Sequence, residues 1–500
     1  MPYRSIGRTM FLLSALAGVL LFQAPVFAQD QITEMRELKR QLDEMREELR
    51  RSNAEKEKKI EALERQVARL QEKPVPTQEI RSPESALDQA LSKLEQVQEK
   101  AGTGDLYSKQ IGSTTVRLMD ISLDALFIGG GSSVGDEEIE VLQGGGHDPK
   151  RQGFTLQQVE LGFQGAVDPY FTVESFIVFG EEGVELEEAF FKTSSLPYGL
   201  QVKGGQYLTE FGLINQSHPH SWDWIDQPVI NTRLFGGDGN RGMGVRLGWL
   251  TPLPWYSEVI LGVQNANDET MVSFLGSGEE DGESEPFATT IGGRPAVDRD
   301  VSSPEDLLYS ARWEQSFDLS GETTAKIGAS GLFGPNNTGP DGYTLIYGAD
   351  LKVKWRPLKN QAGWPFVLWQ SEIMARDYEA DGFFLDDGTD PVSLRSKTLH
   401  DWGFYTQLFY GFYTHWAAGL RYEFASGSGA SVLEFAGRED DPLRDDRHRF
   451  SPLLTWYPSE FSRFRLQYNY DVADHLAEED AHSVWLGAEF LIGSHPAHKF

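Results

Sequence analysis

The sequence predicts an all-β fold, a transmembrane antiparallel β-barrel of about sixteen strands, preceded by an α-helical coiled coil. Three observations predict it. From about residue 117 to the end, segments of roughly ten residues alternate apolar and polar side chains, the repeated signature of a barrel whose two faces meet lipid and water. Aromatic residues make up 12% of the chain and fall on one face of those segments. Before them lies a stretch without glycine or proline, rich in Glu, Lys, Arg, Gln and Leu.

The gross composition limits the partners. The chain has 500 residues, a formal net charge of −31 and no cysteine. An acidic chain lacks the basic face that phosphate recognition needs, so nucleic acid is excluded as a partner. Absence of cysteine fits a protein that works in an oxidising compartment without disulfides. Mean hydropathy is −0.41, and beyond the N-terminus no run reaches the ~18 apolar residues of a membrane-spanning helix. A barrel escapes that criterion, because it crosses the membrane with alternating strands.

Residues 1–28 read as a secretory signal. Arg4 and Arg8 precede the apolar run "MFLLSALAGVLLF", and Val26 and Ala28 offer small side chains for cleavage before Gln29. Residues 29–73 read as a coiled coil. Met35, Leu38, Leu42, Met45 and Leu49 form one apolar seam, and Ile60, Leu63, Val67 and Leu70 continue it after a stutter. At 1.5 Å per residue the rod is roughly 65 Å long. Residues 74–104 are a linker and a short helix: "PVPTQEIRSP" breaks the coil, Leu87, Leu91 and Leu94 share a helical face, and "GTG" ends it. Residues 105–500 hold the barrel.

The strands are expected at 117–128, 154–167, 170–180, 183–193, 200–208, 240–250, 256–265 and 306–317. The rest are expected at 322–333, 343–355, 365–377, 399–411, 414–425, 447–457, 461–471 and 482–492. In "YTLIYGADLKVKW" the outward set is Tyr343, Leu345, Tyr347, Ala349, Leu351, Val353 and Trp355, and Asp350, Lys352 and Lys354 point inward. Short connections alternate with long ones after the first, fifth, seventh, eleventh and thirteenth strands, as periplasmic turns alternate with outer loops. An even strand count leaves both chain ends, and so the coiled coil, in the periplasm. The terminal Phe500 fits the C-terminal aromatic of an outer-membrane barrel.

With the strands placed, "GLQVKGGQYLTEFGLIN" (Gly199 to Asn215) resembles the G-x-F/Y-x-x-x-F-G stretch before the third outer loop of the phosphate-selective porin O and P family. That resemblance implies sixteen strands, a trimer, a third loop folded into the pore and, in some relatives, an N-terminal coiled coil. "GGGHDPKRQGFTLQQVELGFQGAVDPYF" (Gly144 to Phe171) and "GSHPAHKF" resemble a narrower group of Gram-negative barrels labelled zinc-regulated TonB-dependent outer-membrane receptors. The chain departs from that label, which requires a plug domain and twenty-two strands. It also departs from the arginine ladder of the phosphate porins. The expected lining is mixed: Arg246, Arg312, Lys352, Lys354, Arg421, Arg463 and Arg465 against Glu314, Glu372 and Glu423.

The expected function is passive diffusion of small hydrophilic solutes or ions, with outer-membrane lipid around the barrel and a homotrimer as the assembly. Alternatives are a zinc-linked receptor or transporter, and an envelope tether that reaches peptidoglycan through the coiled coil. The stretch "LINQSHPHSWDWID" (Leu213 to Asp226) falls in the third loop, so His218, His220, Trp222, Asp223, Trp224 and Asp226 are expected at a constriction. His218 and His220, with Asp223 or Asp226, carry ligand types that suit Zn²⁺; no other cofactor is expected. The acids Asp268, Glu269, Glu279, Glu280, Asp281, Glu283 and Glu285 would favour cations at the mouth over about a Debye length, ~8 Å at physiological salt.

No enzymatic step is expected. "GSSVG" (Gly131 to Gly135) matches a nucleophile elbow but leads into an acidic loop rather than strand, turn and helix. "GDGNRG" (Gly237 to Gly242) runs into a strand, so no helix N-terminus faces a phosphate.

Overall fold

The computed structural model describes residues 108–111, 114–117, 119–181, 183–276, 291, 297, 299–385, 392–429, 444, 446–474, 476 and 480–493. The expected signal sequence at 1–28, the expected coiled coil at 29–73, the expected linker at 74–104, the acidic run at 279–285, His495, His498 and Phe500 lie outside the described residues.

Sixteen strands close into one antiparallel barrel. They are β1 (Met119–Ser132), β2 (Gly153–Ala166), β3 (Phe171–Phe179), β4 (Val184–Thr193), β5 (Leu200–Leu208), β6 (Arg241–Leu250), β7 (Tyr256–Asn265) and β8 (Leu307–Ser320). They continue as β9 (Thr323–Pro335), β10 (Tyr343–Trp355), β11 (Phe366–Ala380), β12 (Lys397–Tyr413), β13 (Trp416–Ser428), β14 (Arg447–Ser459), β15 (Ser462–Ala473) and β16 (Asp480–Gly493). Each strand pairs with its sequence neighbours, and β16 pairs with β1 in a register that sets Ala488 opposite Phe127. Every strand expected from the alternation is present. The first begins later and runs further than expected, at 119–132 rather than 117–128, because a hairpin of Ser108–Ile111 and Thr114–Arg117 precedes it.

Alternation decides the two faces. On β15, Leu466 is exposed outside while Arg463, Arg465, Gln467, Asn469 and Asp471 are buried inside. The exposed surface carries large apolar side chains throughout, including Leu454, Leu466 and Leu486 abreast on β14, β15 and β16. A water-soluble protein would bury these. A chain of aromatic contacts crosses the closure, from Trp416 to Trp456 (6.0 Å between ring centroids), Phe464 (5.6 Å), Phe490 (5.8 Å) and Phe127 (6.5 Å). Such cross-strand aromatic pairs stabilise neighbouring strands beyond their area of burial. Trp249, Trp255, Tyr256, Trp369, Phe412, Tyr413, Trp456 and Phe461 stand exposed near the short turns, the position of an interfacial aromatic girdle.

The long connections gather at the other end. The first (133–152) contains helix α1 (Asp136–Leu142) and the third (209–240) contains helix α2 (Val229–Phe235). Both helices have seven residues and turn apolar side chains toward the barrel interior. A core therefore sits inside the barrel. Val229, Ile230, Leu234 and Phe235 of α2 meet Leu308, Leu332, Ile346, Met374, Tyr405 and Ala425 of the wall, with Met271, Phe274 and Leu275 from the fourth loop.

Candidate functional site

The third loop leaves β5 through Gly212, whose φ of +58° is a left-handed conformation that favours glycine. A Cβ there would also meet the carboxylate of Glu372. Glu372 accepts the backbone N–H of Ile214 at 3.0 Å and the Tyr405 hydroxyl at 2.5 Å, which pins the loop to β11 and β12. Pro219 then starts a single 3₁₀ turn, Pro219–Ser221, and Pro228 starts α2. The first backbone N–H of α2, from Val229, is received by Glu423 at 2.6 Å.

Between the two prolines the loop is held by arginines of the wall. Arg463 donates to the carbonyls of His220 (2.9 Å) and Trp222 (2.8 Å), and Arg465 to that of Trp224 (2.9 Å). Both also pair with Glu489. Trp224 donates its indole N–H to the carbonyl of Ser451 at 3.0 Å and packs among Leu368, Phe409, Ala417 and Leu453. Asp226 is the charge hub. Arg421 pairs with it, Arg449 lies at 3.2 Å, and Gln467 and Asn469 donate to it at 2.8 and 2.7 Å. Burial opposes its charge, but Arg421, Arg449 and those two amides hold its carboxyl well below the usual carboxylate range.

The first loop joins this network. Arg449 and Arg447 donate to the carbonyl of Leu142 at the end of α1, and Asp148 accepts the backbone N–H of Gln227 at 3.0 Å. Burial and the charge of Asp226 push the Asp148 carboxyl up to about 7, against the hydrogen bonds and Arg449 that favour ionisation.

On the opposite side of the loop, His218 enters a nest of carboxylates. Its Nδ1 lies 2.9 Å from Glu187 Oε2 and 3.0 Å from Glu160 Oε2, and its Nε2 lies 2.8 Å from Glu188 Oε2. His220 Nδ1 lies 3.3 Å from the same Glu160 oxygen, and the two imidazoles stack with centroids 5.6 Å apart. Phe176 closes the nest 4.7 Å from the His218 ring. Burial lowers the His218 pKa, but Glu187 and Glu160 outweigh it and raise the pKa well above the usual value. The three glutamates come together because two β-bulges break the alternation. One extra residue, Gln157, sits in β2 opposite β1, and another, Glu187, sits in β4 opposite β3. Adjacent Glu187 and Glu188 thereby both face inward.

The sequence expectation therefore changes in its details. The carboxylates that meet His218 and His220 are Glu160, Glu187 and Glu188, not Asp223 or Asp226. His218, His220, Trp222, Trp224 and Asp226 are buried, because the loop packs against the wall rather than hanging free in the lumen. Arg246, Arg312, Glu314, Glu372, Arg421, Glu423, Arg463 and Arg465 do face inward but are buried in ion pairs or under the loop, Arg312 with Asp350 at 2.6 Å and Arg246 with Glu210 at 2.9 Å. Asp223 is half-exposed beside the exposed Ser221, in the field of Lys352 and Lys354, which are half-exposed on β10. Glu187 and Glu188 were not foreseen. Their signal lies in the apolar phase of β4: Val184 and Leu186 face outward at even numbers and Phe191 at an odd one, which requires an extra residue between.

The two glycine motifs resolve plainly. "GDGNRG" runs into β6. After "GSSVG", contrary to expectation, helix α1 does follow β1, yet the Ser133 hydroxyl accepts the backbone N–H of His482 at 2.9 Å and joins the strand ends.

No family model matches the chain. An uncharacterised protein of Aquifex aeolicus strain VF5 is 29% identical over 409 residues, spanning 77% of this chain and 80% of that one. Among solved structures, Pseudomonas putida OprB gives a TM-score of 0.48 at 11% identity, over 75% of this chain and 94% of its own. The outer membrane channel DcaP of Acinetobacter baumannii gives 0.44 at 12%, over 77% and 100%. An anion-selective porin from Comamonas acidovorans gives 0.41 at 9%, over 75% and 98%.

Proposed function

We propose that the protein is an outer-membrane porin through which small hydrophilic solutes or ions diffuse passively. One observation carries this reading: a closed sixteen-stranded barrel with an apolar, aromatic-girdled exterior and a charged interior. The third loop packs on β11 to β16 and its helix also meets Leu308, Leu332 and Ile346 of β8 to β10, whereas Lys326, Lys352 and Lys354, toward the short-turn ends of β9 and β10, stay half-exposed, the latter two in the field of Asp223. That stretch of wall would form part of the route for a solute. Selectivity would follow from charge at the mouth and along that stretch. The acids Asp268 and Glu269 and those after them favour cations. Trimeric assembly and a periplasmic N-terminal rod belong to the same proposal.

The test is single-channel recording of the purified full chain in a planar bilayer. Discrete conductance steps are expected, with a reversal potential favouring cations under a salt gradient. A folded barrel that inserts and conducts nothing would sink the reading, and clear anion preference would sink its selectivity.

A further inference from the structure

The carboxylate nest around His218 has no role in passive diffusion. We propose that His218 Nδ1, Glu160 Oε2 and Glu187 Oε2, which all lie within 4.8 Å of one another, form a binding site for a divalent transition-metal cation of the zinc class, which staples the third loop to strands β2 and β4.

Four features carry the assignment. Glu160 and Glu187 are each under 5% exposed, and the atoms in question converge from three separate parts of the chain. His218 Nδ1 approaches two carboxylate oxygens at once, 2.9 and 3.0 Å away, and makes a well-formed hydrogen bond to neither. One hydrogen cannot point at both oxygens, but a cation seated between them would satisfy all three atoms. Zinc bonds of ~2.0–2.2 Å set tetrahedral donors roughly 3.4 Å apart, so the two His218 Nδ1 distances need to widen by only a few tenths of an ångström.

The second ring nitrogen supplies the third feature. His218 Nε2 donates to Glu188, which is itself braced by the backbone N–H of Leu208 at 2.9 Å and by Lys203 at 3.7 Å. A metal-bound imidazole is characteristically fixed in this way, its far N–H on a carboxylate that sets the tautomer and ring plane. The fourth feature is charge. Two carboxylates and a divalent cation sum to zero in a buried place. The same balance without metal needs two stacked imidazolium rings, which repel. A donor set of one imidazole and two carboxylates, with a fourth position open to water, suits Zn²⁺ and its neighbours in the first row rather than Ca²⁺ or Mg²⁺. A cleft lined by His147, Asn215, Pro219 and Asp238 reaches Glu187 and offers an approach.

The experiment reads binding, not conductance, so its outcome is independent of the channel reading. The full chain, folded in detergent and stripped with a chelator, is titrated with Zn²⁺ by calorimetry and with Co²⁺ by visible absorption. Expected are one saturable site per chain and the intense bands of tetrahedral Co²⁺. E187Q and H218A should each weaken Zn²⁺ binding at least tenfold, while H400A, on an exposed histidine, should leave it unchanged. Heat-modifiable gel mobility verifies that each variant keeps a closed barrel, and E187Q preserves side-chain volume. Zn²⁺ should also slow proteolysis of the third loop in the parent chain and not in E187Q. No saturable site in the parent chain, or affinity unchanged in folded E187Q, overturns the assignment.

Discussion

At the scale of single residues, the interior is governed by charges that only neighbouring charges make tolerable. Asp226, 1% exposed, answers two guanidinium groups, Arg421 and Arg449, that are themselves 1% exposed. Removing one member of such a group strands the others, at about 3–5 kcal/mol. Asp226→Ala should therefore release the third loop and raise single-channel conductance, whereas Asp226→Asn, which keeps the shape and some acceptor capacity, should act more weakly. Equal conductance in parent and Asp226→Ala would show that the hub does not hold the loop. Asp148 carries a pH dependence of the opposite kind. Its folded carboxyl keeps the proton up to about 7, against an ordinary value of 3.8, so between those values the folded state binds more protons than the unfolded one. Stability then falls as pH rises through that window and levels off above it. The contact between first and third loops should be tighter at pH 5 than at pH 8, read as protease protection of the third loop. Asp148→Asn, neutral at every pH, should flatten the difference; a variant as pH-sensitive as the parent would refute the assignment to Asp148.

At the scale of elements, the third loop behaves as a small folded unit with its own core and anchors. Trp224 is its deepest anchor. Trp224→Ala removes the packing on Leu368, Phe409, Ala417 and Leu453 and the indole hydrogen bond, about 3–5 kcal/mol of local docking. The barrel should still close, since its ladders do not involve Trp224, but the loop should become accessible to protease; a loop as resistant as the parent's would assign docking to Asp226 and the arginines alone. The sixteen strands were legible in the sequence because alternation repeats at every one of them and a single misread strand changes little. The site was less legible. The stretch from His218 to Asp226 stands out by composition, but its partners come from β2, β4, β13, β14 and β15, and only inter-strand register brings them together. Glu187 and Glu188 illustrate the reason: strict alternation admits one of two adjacent residues to the interior, and a bulge admits both. The same phase shift occurs in β2, where Phe154 and Leu156 give way to Val159, Leu161 and Phe163 on the other side of Gln157.

At the scale of the molecule, polarity runs opposite to that of a protein folded in water. Arginines and carboxylates surround a small apolar core inside, and leucines and aromatics cover the outside. Burial of apolar surface in lipid, not in a protein core, then decides whether the barrel stays inserted. Leu466 tests this directly. It lies mid-strand on β15, opposite Leu454 and Leu486, and is about half-exposed, while its chain neighbour Gln467 is fully buried inside. An arginine at this depth on the lipid face costs about 2–4 kcal/mol. Leu358, in the short turn between β10 and β11, is more exposed still but sits at the rim of the barrel, where the cost falls to about 0–1 kcal/mol. Urea-dependent folding into phospholipid vesicles should therefore show Leu466→Arg destabilised by the larger amount and Leu358→Arg close to the parent. In a detergent micelle, whose surface adapts to a charge, the gap between the two should narrow. A soluble barrel would show no such gap, with both substitutions harmless in either medium, because an exposed leucine in water gains nothing from remaining apolar.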